Sequence, residues 1–367
     1  MIRDFFKKNI VFSAALFFAI LSCFIIPPNK NYLTYVDGRT IGCLFGTLAV
    51  IGALRNIHFF RSVARWIIAQ TGNARMAVIT LVCITFIGSM LIANDMALIT
   101  FLPLGFIVLS STGKEKYMAF TFVMQNIAAN LGGMLTPFGN PQNLFLYSYF
   151  NISNDEFIKI MFPPFILAVT LILLCCWFFV KKENLILSKK KIKLPPIRTT
   201  LYLILFAFAI AIVFRIIPYL AGISIIAICL WIMDKKALKQ LDYPLLCTFL
   251  CFFIFAGNVS QIECIHTFFE HILSRSVLLV SVISCQFISN VPTAILLSRF
   301  TQDYSSLLVG VNIGGVGTLI ASLASLITFR EYTRYYPQKT AGYLKIFFAF
   351  NFFFLIVLTV FCLIRQG

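Results

Sequence analysis

The chain has 367 residues, of which 60% are hydrophobic and 12% charged. Soluble domains carry about 25% charged and about 45–50% apolar residues; no soluble fold buries this much Leu, Ile and Phe, so lipid is the solvent for most of the chain. The net charge of +17 does not point to nucleic acid, because the basic residues fall in short segments between apolar runs, as the positive-inside rule requires.

The first apolar run, Ile10 to Ile26, follows Arg3, Lys7 and Lys8 and resembles a secretory signal. Its 17 residues exceed an h-region of roughly 7–15, and no A-x-A cleavage site follows, so it reads as an uncleaved first helix. Further apolar runs lie near 40–56, 158–180, 200–217, 219–233, 243–256 and 346–364. The eleven cysteines form no C-x-x-C pair, and with three histidines in the chain neither a zinc site nor a disulfide framework is indicated. They read as small apolar filler.

Basic residues cluster at 3–8, 55–75, 114–116, 181–198, 235–239 and 330–345. Placing all six clusters inside puts 23 of the 30 Lys and Arg in the cytoplasm, with the N-terminus, and leaves Lys30, Arg39, Lys159, Arg215, Arg275, Arg299 and Arg365 elsewhere. The region 76–110 then starts and ends inside, and 276–303 starts and ends outside. The arms around Asn94 count about 15 residues each, short for a full span, so each region reads as a re-entrant hairpin. One opens inward and the other outward, as inverted repeats demand. The expected fold is therefore an all-α polytopic membrane protein of two inverted repeats. Residues 1–180 form the N-terminal transport repeat, with its broken transmembrane helix at 117–150. Residues 181–199 form a basic cytoplasmic linker, and 200–367 the C-terminal repeat, with its break in 306–330.

Both breaks carry Asn-x-Gly-Gly-x-x-Thr. Asn130, Gly132, Gly133 and Thr136 align with Asn312, Gly314, Gly315 and Thr318, followed by Asn140 against Ser322. Gly-Gly interrupts the helix and frees backbone groups that lipid cannot satisfy. Such backbone survives at membrane depth where it lines a cavity: freed carbonyls suit a hard cation, and the N-terminus of the resumed helix suits an anion. The alternative is close helix packing through the glycines. The hairpin tips are Ala93-Asn94-Asp95-Met96 and Ser289-Asn290-Val291-Pro292-Thr293. Asn94 and Asp95 could serve as N-caps of an arm beginning at Met96, and Pro292 as a helix-start proline. A cap needs no ionisable group, however, and the carboxylate of Asp95 points to proton or cation coupling.

At these residues the chain resembles the ion transporter superfamily, in its arsenite-permease and NhaD-type anion permease branch with a citrate-transporter-like domain. The resemblance rests on Ala93-Asn94-Asp95 leading to Leu102-Pro103-Leu104, and on Ser289 to Thr293. Thr136-Pro137-Phe138-Gly139-Asn140-Pro141-Gln142-Asn143 and Gly314 to Thr318 carry it further, as do Asp37-Gly38-Arg39 and Asp242-Tyr243-Pro244, which look like the openings of the two repeats. It implies that tips and broken helices meet at mid-membrane and hold coupling cations beside the substrate. The dicarboxylate branch carries Ser-Asn-Thr at both tips; here the third positions are Asp95 and Val291, and Asp95 is similar to the arsenite-permease and antiporter branch.

Two functions are open at this point. In a cation-coupled anion transporter, Asn94, Gly132, Gly133 and Thr136 form one coupling-ion site, and Ser289, Asn290, Gly314, Gly315 and Thr318 the other. Asp95 titrates or holds a cation, and the anion rests against Asn94, Asp95, Asn140, Asn290, Thr293 and Ser322. In a sodium/proton antiporter, Asp95 is the exchanging carboxylate and no organic substrate is needed; Asp95 is the one intramembrane acid evident, since Glu263 and Glu270 read as lying in an outer loop. Intramembrane catalysis lacks its parts, since HExxH, GxSxG and a paired acid are missing, so the chain is not expected to be an enzyme. Its expected partners are a small inorganic or organic anion, Na⁺ or H⁺ and the lipid of a bacterial inner membrane, with no cofactor beyond Na⁺. A homodimer is left open.

Overall fold

Lipid offers no partners to backbone N–H and C=O groups, so a spanning chain closes its hydrogen bonds within helices. The computed structural model describes residues 9–185 and 194–366, and its only β-type pairing among them is an isolated bridge between Asn73 and Asn184. Arg3, Lys7, Lys8, Lys189, Lys190, Lys191 and Lys193 lie outside the described residues.

Helix α1 (Ile10–Ile25) and the turn α2 (Tyr32–Tyr35) lead into α3 (Gly38–Asn56), α4 (Phe59–Ile68), α5 (Ala74–Ile92), α6 (Asn94–Ser111), α7 (Met118–Gly132), α8 (Pro141–Tyr149) and α9 (Asn154–Phe179). After α10 (Pro196–Val213), α11 (Tyr219–Met233) and α12 (Lys235–Lys239), the same series recurs. It runs α13 (Tyr243–Val259), α14 (Glu263–Leu273), α15 (Val277–Ile288), α16 (Asn290–Leu297), α17 (Tyr304–Ile313), α18 (Leu323–Tyr335) and α19 (Thr340–Gln366). Both series open on an aspartate cap: Asp37 accepts from the N–H groups of Arg39 and Thr40, and Asp242 from that of Leu245. Both then bend sharply, by 60° between α3 and α4 and by 97° between α13 and α14. Among the described residues, five helices are long and apolar enough to cross a membrane, or up to seven if each bent pair is one span.

Interhelical packing and hydrogen bonds, not water exclusion, hold such a bundle together. Helix α1 lies along α13, with Ala15 and Ala19 buried beside Cys251 and Ser22 accepting from Asn258 Nδ2 at 3.0 Å. Helices α10 and α11 lie against α3. The two helices that precede the breaks form the centre: every residue of α7 from Phe120 to Gly132, and of α17 from Ser306 to Ile313, is buried.

Four details differ from the sequence reading. The arms of the first hairpin are 19 and 18 residues long, against about 15 counted from the apolar pattern, because Asn73 caps α5 earlier and α6 runs through Pro103 to Ser111. By length alone each reaches the size of a span, whereas the second hairpin's arms have 12 and 8 residues. Glu263 and Glu270 sit on helix α14 and not in a loop. Cys247 and Cys264 are exposed, unlike the buried Cys43, Cys175, Cys176, Cys251, Cys285 and Cys362, since they lie on outward faces of their helices. The predicted caps of α6 are also displaced: the helix begins at Asn94 and neither Asn94 nor Asp95 caps it.

Candidate substrate and ion site

Each hairpin turns on one residue with left-handed φ. Ala93 has φ 64° and ψ 149°, and Ser289 has φ 73° and ψ 159°. The asparagine that follows folds its side chain onto the next peptide: Asn94 Oδ1 accepts from the Asp95 N–H, and Asn290 Oδ1 from the Val291 N–H, both at 2.9 Å. Pro292 is the third residue of α16, where a missing N–H costs nothing.

The breaks dock on these tips through their threonines. Thr136 Oγ1 donates to Met90 O at 2.7 Å and Thr318 Oγ1 to Gln286 O at 2.9 Å. Met90 and Gln286 each stand three residues before their tip, so the sequence repeat is a repeat of contacts. The glycines allow close approach: a Cβ on Gly132 would strike the backbone Phe86 O, and one on Gly317, whose φ is +124°, would strike the side-chain Gln286 Oε1.

The carbonyls freed at the breaks are taken up by side-chain amides. Asn143 Nδ2 reaches Gly133 O at 3.1 Å and the carbonyls of Met134 and Thr136 at 3.4 Å. Gln286 Nε2 reaches Gly314 O at 2.9 Å and Val316 O at 3.2 Å. Asparagines then link the two units. Asn94 Nδ2 donates to Asn130 Oδ1 at 3.2 Å, Asn140 Nδ2 to Asn130 O and Asn312 Oδ1 at 3.2 Å each, and Asn312 Nδ2 to Asn143 Oδ1 at 2.5 Å. A second amide, Asn126, extends the network to Ser325 and Asn351.

Both tips open on one cavity of about 570 Å³. Its wall includes Asn94 and Asp95 at the start of α6, Pro141 and Gln142 at the start of α8, Ser289 to Pro292 at the start of α16, and Leu323 at the start of α18. Four helix N-termini thus converge on it. Phenylalanines of α13 and the first half of α1 supply an apolar part of the wall. Two of its residues hold a buried oxygen without a hydrogen-bond partner, Asp95 Oδ1 and Gln142 Oε1.

Of the residues predicted for the site, Asn94, Asp95, Ser289 and Asn290 line the cavity. Asn140 and Ser322 stand just outside it: Asn140 cross-links the breaks, and Ser322 caps α18 by accepting from the Ser325 N–H. Thr293 Oγ1 is spent on Ser289 O at 2.7 Å. Gly132, Gly133, Thr136, Gly314, Gly315 and Thr318 form the scaffold behind the tips. The sequence reading missed Gln142, Asn143 and Gln286. The first two are visible in the run Pro141-Gln142-Asn143, but Gln286 has Met90 as its counterpart and leaves no signal in the repeat.

A family model described as citrate transporter matches residues 5–303, across both tips and the first break. The chain belongs to the citrate transporter family. This member of the family is 33% identical over 298 residues to an uncharacterised transporter of Methanocaldococcus jannaschii, covering 80% of this chain and 81% of that one. It is 27% identical over 319 residues to the inner membrane protein YbiR of Escherichia coli, covering 84% of each. The silicon efflux transporter LSI3 of Oryza sativa is 28% identical over 140 residues, 38% of this chain and 28% of that protein. Its fold is similar to the crystal structure of the YdaH transporter of Alcanivorax borkumensis, with a TM-score of 0.56 at 10% identity over 90% of this chain and 86% of that one. The chain is thus a multi-pass membrane transporter, as the paired motifs implied.

Proposed function

We propose that this transporter moves a small anion, a carboxylate or an oxyanion, across the inner membrane by alternating access, coupled to Na⁺ or H⁺. The observation that carries the reading is the meeting of four helix N-termini, those of α6, α8, α16 and α18, at one cavity. Each terminus presents roughly half a positive charge, which favours an anion. The N-terminus is assigned to the cytoplasm on the charge distribution.

Asp95 supplies the coupling. An anion about 4 Å from an ionised carboxylate is opposed by about 4 kcal/mol at an effective dielectric near 20, so anion and neutralising cation or proton load together. The coupling ion belongs beside Asp95 and Gln142, each with an unpartnered oxygen, while the Gly133 and Gly314 carbonyls are already engaged.

Uptake of labelled carboxylates and oxyanions into proteoliposomes tests this under imposed Na⁺ or pH gradients. Accumulation should require a gradient. The unpartnered oxygen of Asp95 also suits sodium/proton antiport. Proton flux driven by Na⁺ without added anion, together with no anion uptake, would replace the anion reading by that one.

A further inference from the structure

The bend between α3 and α4 builds a second, smaller cavity outside the transport site. It holds about 140 Å³, and Arg55, His58 and Arg61 line it with Thr100 and Pro103 of α6. No acid stands in its wall, and among the described residues the ion pairs involve other groups. Arg55 Nη1 lies 3.4 Å from Met96 Sδ, a weak acceptor that leaves the charge uncompensated. His58 turns the corner with φ 59°, and no side chain caps the first turn of α4 that follows.

The helix that starts here has the make-up of one that lies in the membrane interface. Arg61 and Arg65 stand on it beside Val63 and Trp66, and Trp66 is 62% exposed. The corresponding corner of the second series has the opposite chemistry: α14 carries Glu263 and Glu270, and His266 is paired with Glu270 at 3.4 Å. The same architecture is thus basic at one corner and acidic at the other, and the basic corner encloses guanidinium groups around a cavity.

We infer that the Arg55–His58–Arg61 corner binds a phosphate-bearing anion, the headgroup of an anionic phospholipid in the leaflet that meets the basic segments. Guanidinium forks match phosphate oxygens, and a phospholipid places its phosphate at the depth of an interfacial helix. Because Thr100 and Pro103 close the cavity, a headgroup there also braces the outgoing arm of the first hairpin.

The test uses the full-length protein in detergent, titrated with dioctanoyl phosphatidylglycerol, dioctanoyl phosphatidylcholine or inorganic phosphate while the melting temperature is read. Phosphatidylglycerol should raise it saturably and phosphatidylcholine should not. Loss of one charge-assisted contact in Arg61→Gln should weaken the apparent affinity roughly tenfold. Arg61→Lys should recover part of it, and Lys239→Gln, on α12, should bind as the wild type does. Inorganic phosphate giving the same Arg61-dependent rise on its own would keep the site and overturn the lipid as its occupant. Equal responses to both lipids, or a phosphatidylglycerol response unchanged in both Arg55→Gln and Arg61→Gln, would overturn the site.

Discussion

The two tip-and-break units share a skeleton and differ in one charge. In both, a left-handed residue precedes an asparagine folded on its own backbone, and a threonine from the break holds the carbonyl three residues before the tip. The next position is Asp95 in the first unit and Val291 in the second. Carbonyl satisfaction differs as well. Asn143 reaches back from beyond the first break, whereas Gln286 reaches across from the hairpin arm to the second. What the units have in common holds the chain in shape; what separates them is available for chemistry, and the first unit carries the ionisable group.

The comparison breaks most visibly at Asp95. Asp95→Asn should reduce gradient-driven accumulation to the level seen without a gradient. Up to roughly a thousandfold of coupling is at stake if about 4 kcal/mol of charge repulsion is what couples the two loads, and proteoliposome uptake measures it. Val291→Thr, at the equivalent place, should keep gradient dependence. Next in size are the glycines. Gly317→Ala puts a side chain at φ +124° and against Gln286, and Gly132→Ala puts one against Phe86 O. Each should cost about 1–3 kcal/mol, read as a lower melting temperature in detergent.

The amides allow a finer test. Asn143→Leu and Gln286→Leu each strand freed carbonyls, and each should cost about 1–3 kcal/mol. Comparable drops in melting temperature would show that the two routes serve one purpose. A drop in one alone would show that the units are held differently.

The smallest effect lies outside the bundle. Glu183 takes Lys114 at 2.8 Å, Lys116 at 2.5 Å and Tyr117 at 2.8 Å, and these hydrogen bonds lower its carboxyl from 4.5 to about 2. Its folded value lies below the unfolded one, so its contribution is present above about 4.5 and is lost as pH falls toward about 2. Glu183→Gln should therefore melt slightly below the wild type at neutral pH, and the gap should close across that window.

Much of this was legible in residues that are expensive in lipid. Gly-Gly, Asn and an isolated acid at membrane depth need a reason, so Asn130 to Thr136, Asn312 to Thr318 and Asp95 stand out of an apolar text. A pattern shows that backbone is freed and not what takes it up: Asn143 Nδ2 reaches Gly133 O and Gln286 Nε2 reaches Gly314 O. Gln286 is silent for a related reason: its counterpart in the first unit, Met90, carries no amide, and its role exists only where Gly314 and Val316 come to lie beside it. The hairpin arms were undercounted because helix ends are set by caps and not by where an apolar run stops: Asn73 starts α5 at Ala74, and α6 runs from Asn94 to Ser111.

Composition and charge order by themselves determined that the chain dissolves in lipid, that it bears two matched breaks, and that the matched series have unlike tips. These follow from local properties: transfer cost, helix continuity and the freedom of glycine. Only the tertiary structure decided that four helix N-termini meet at one cavity, that Asn140 ties the first break to Asn312 of the second, and that Asp95 and Gln142 keep an unpartnered oxygen there. Hydrogen-bond partners 172 residues apart in sequence are set by packing in space, and which polar atoms remain unpartnered is known only when every other contact has formed.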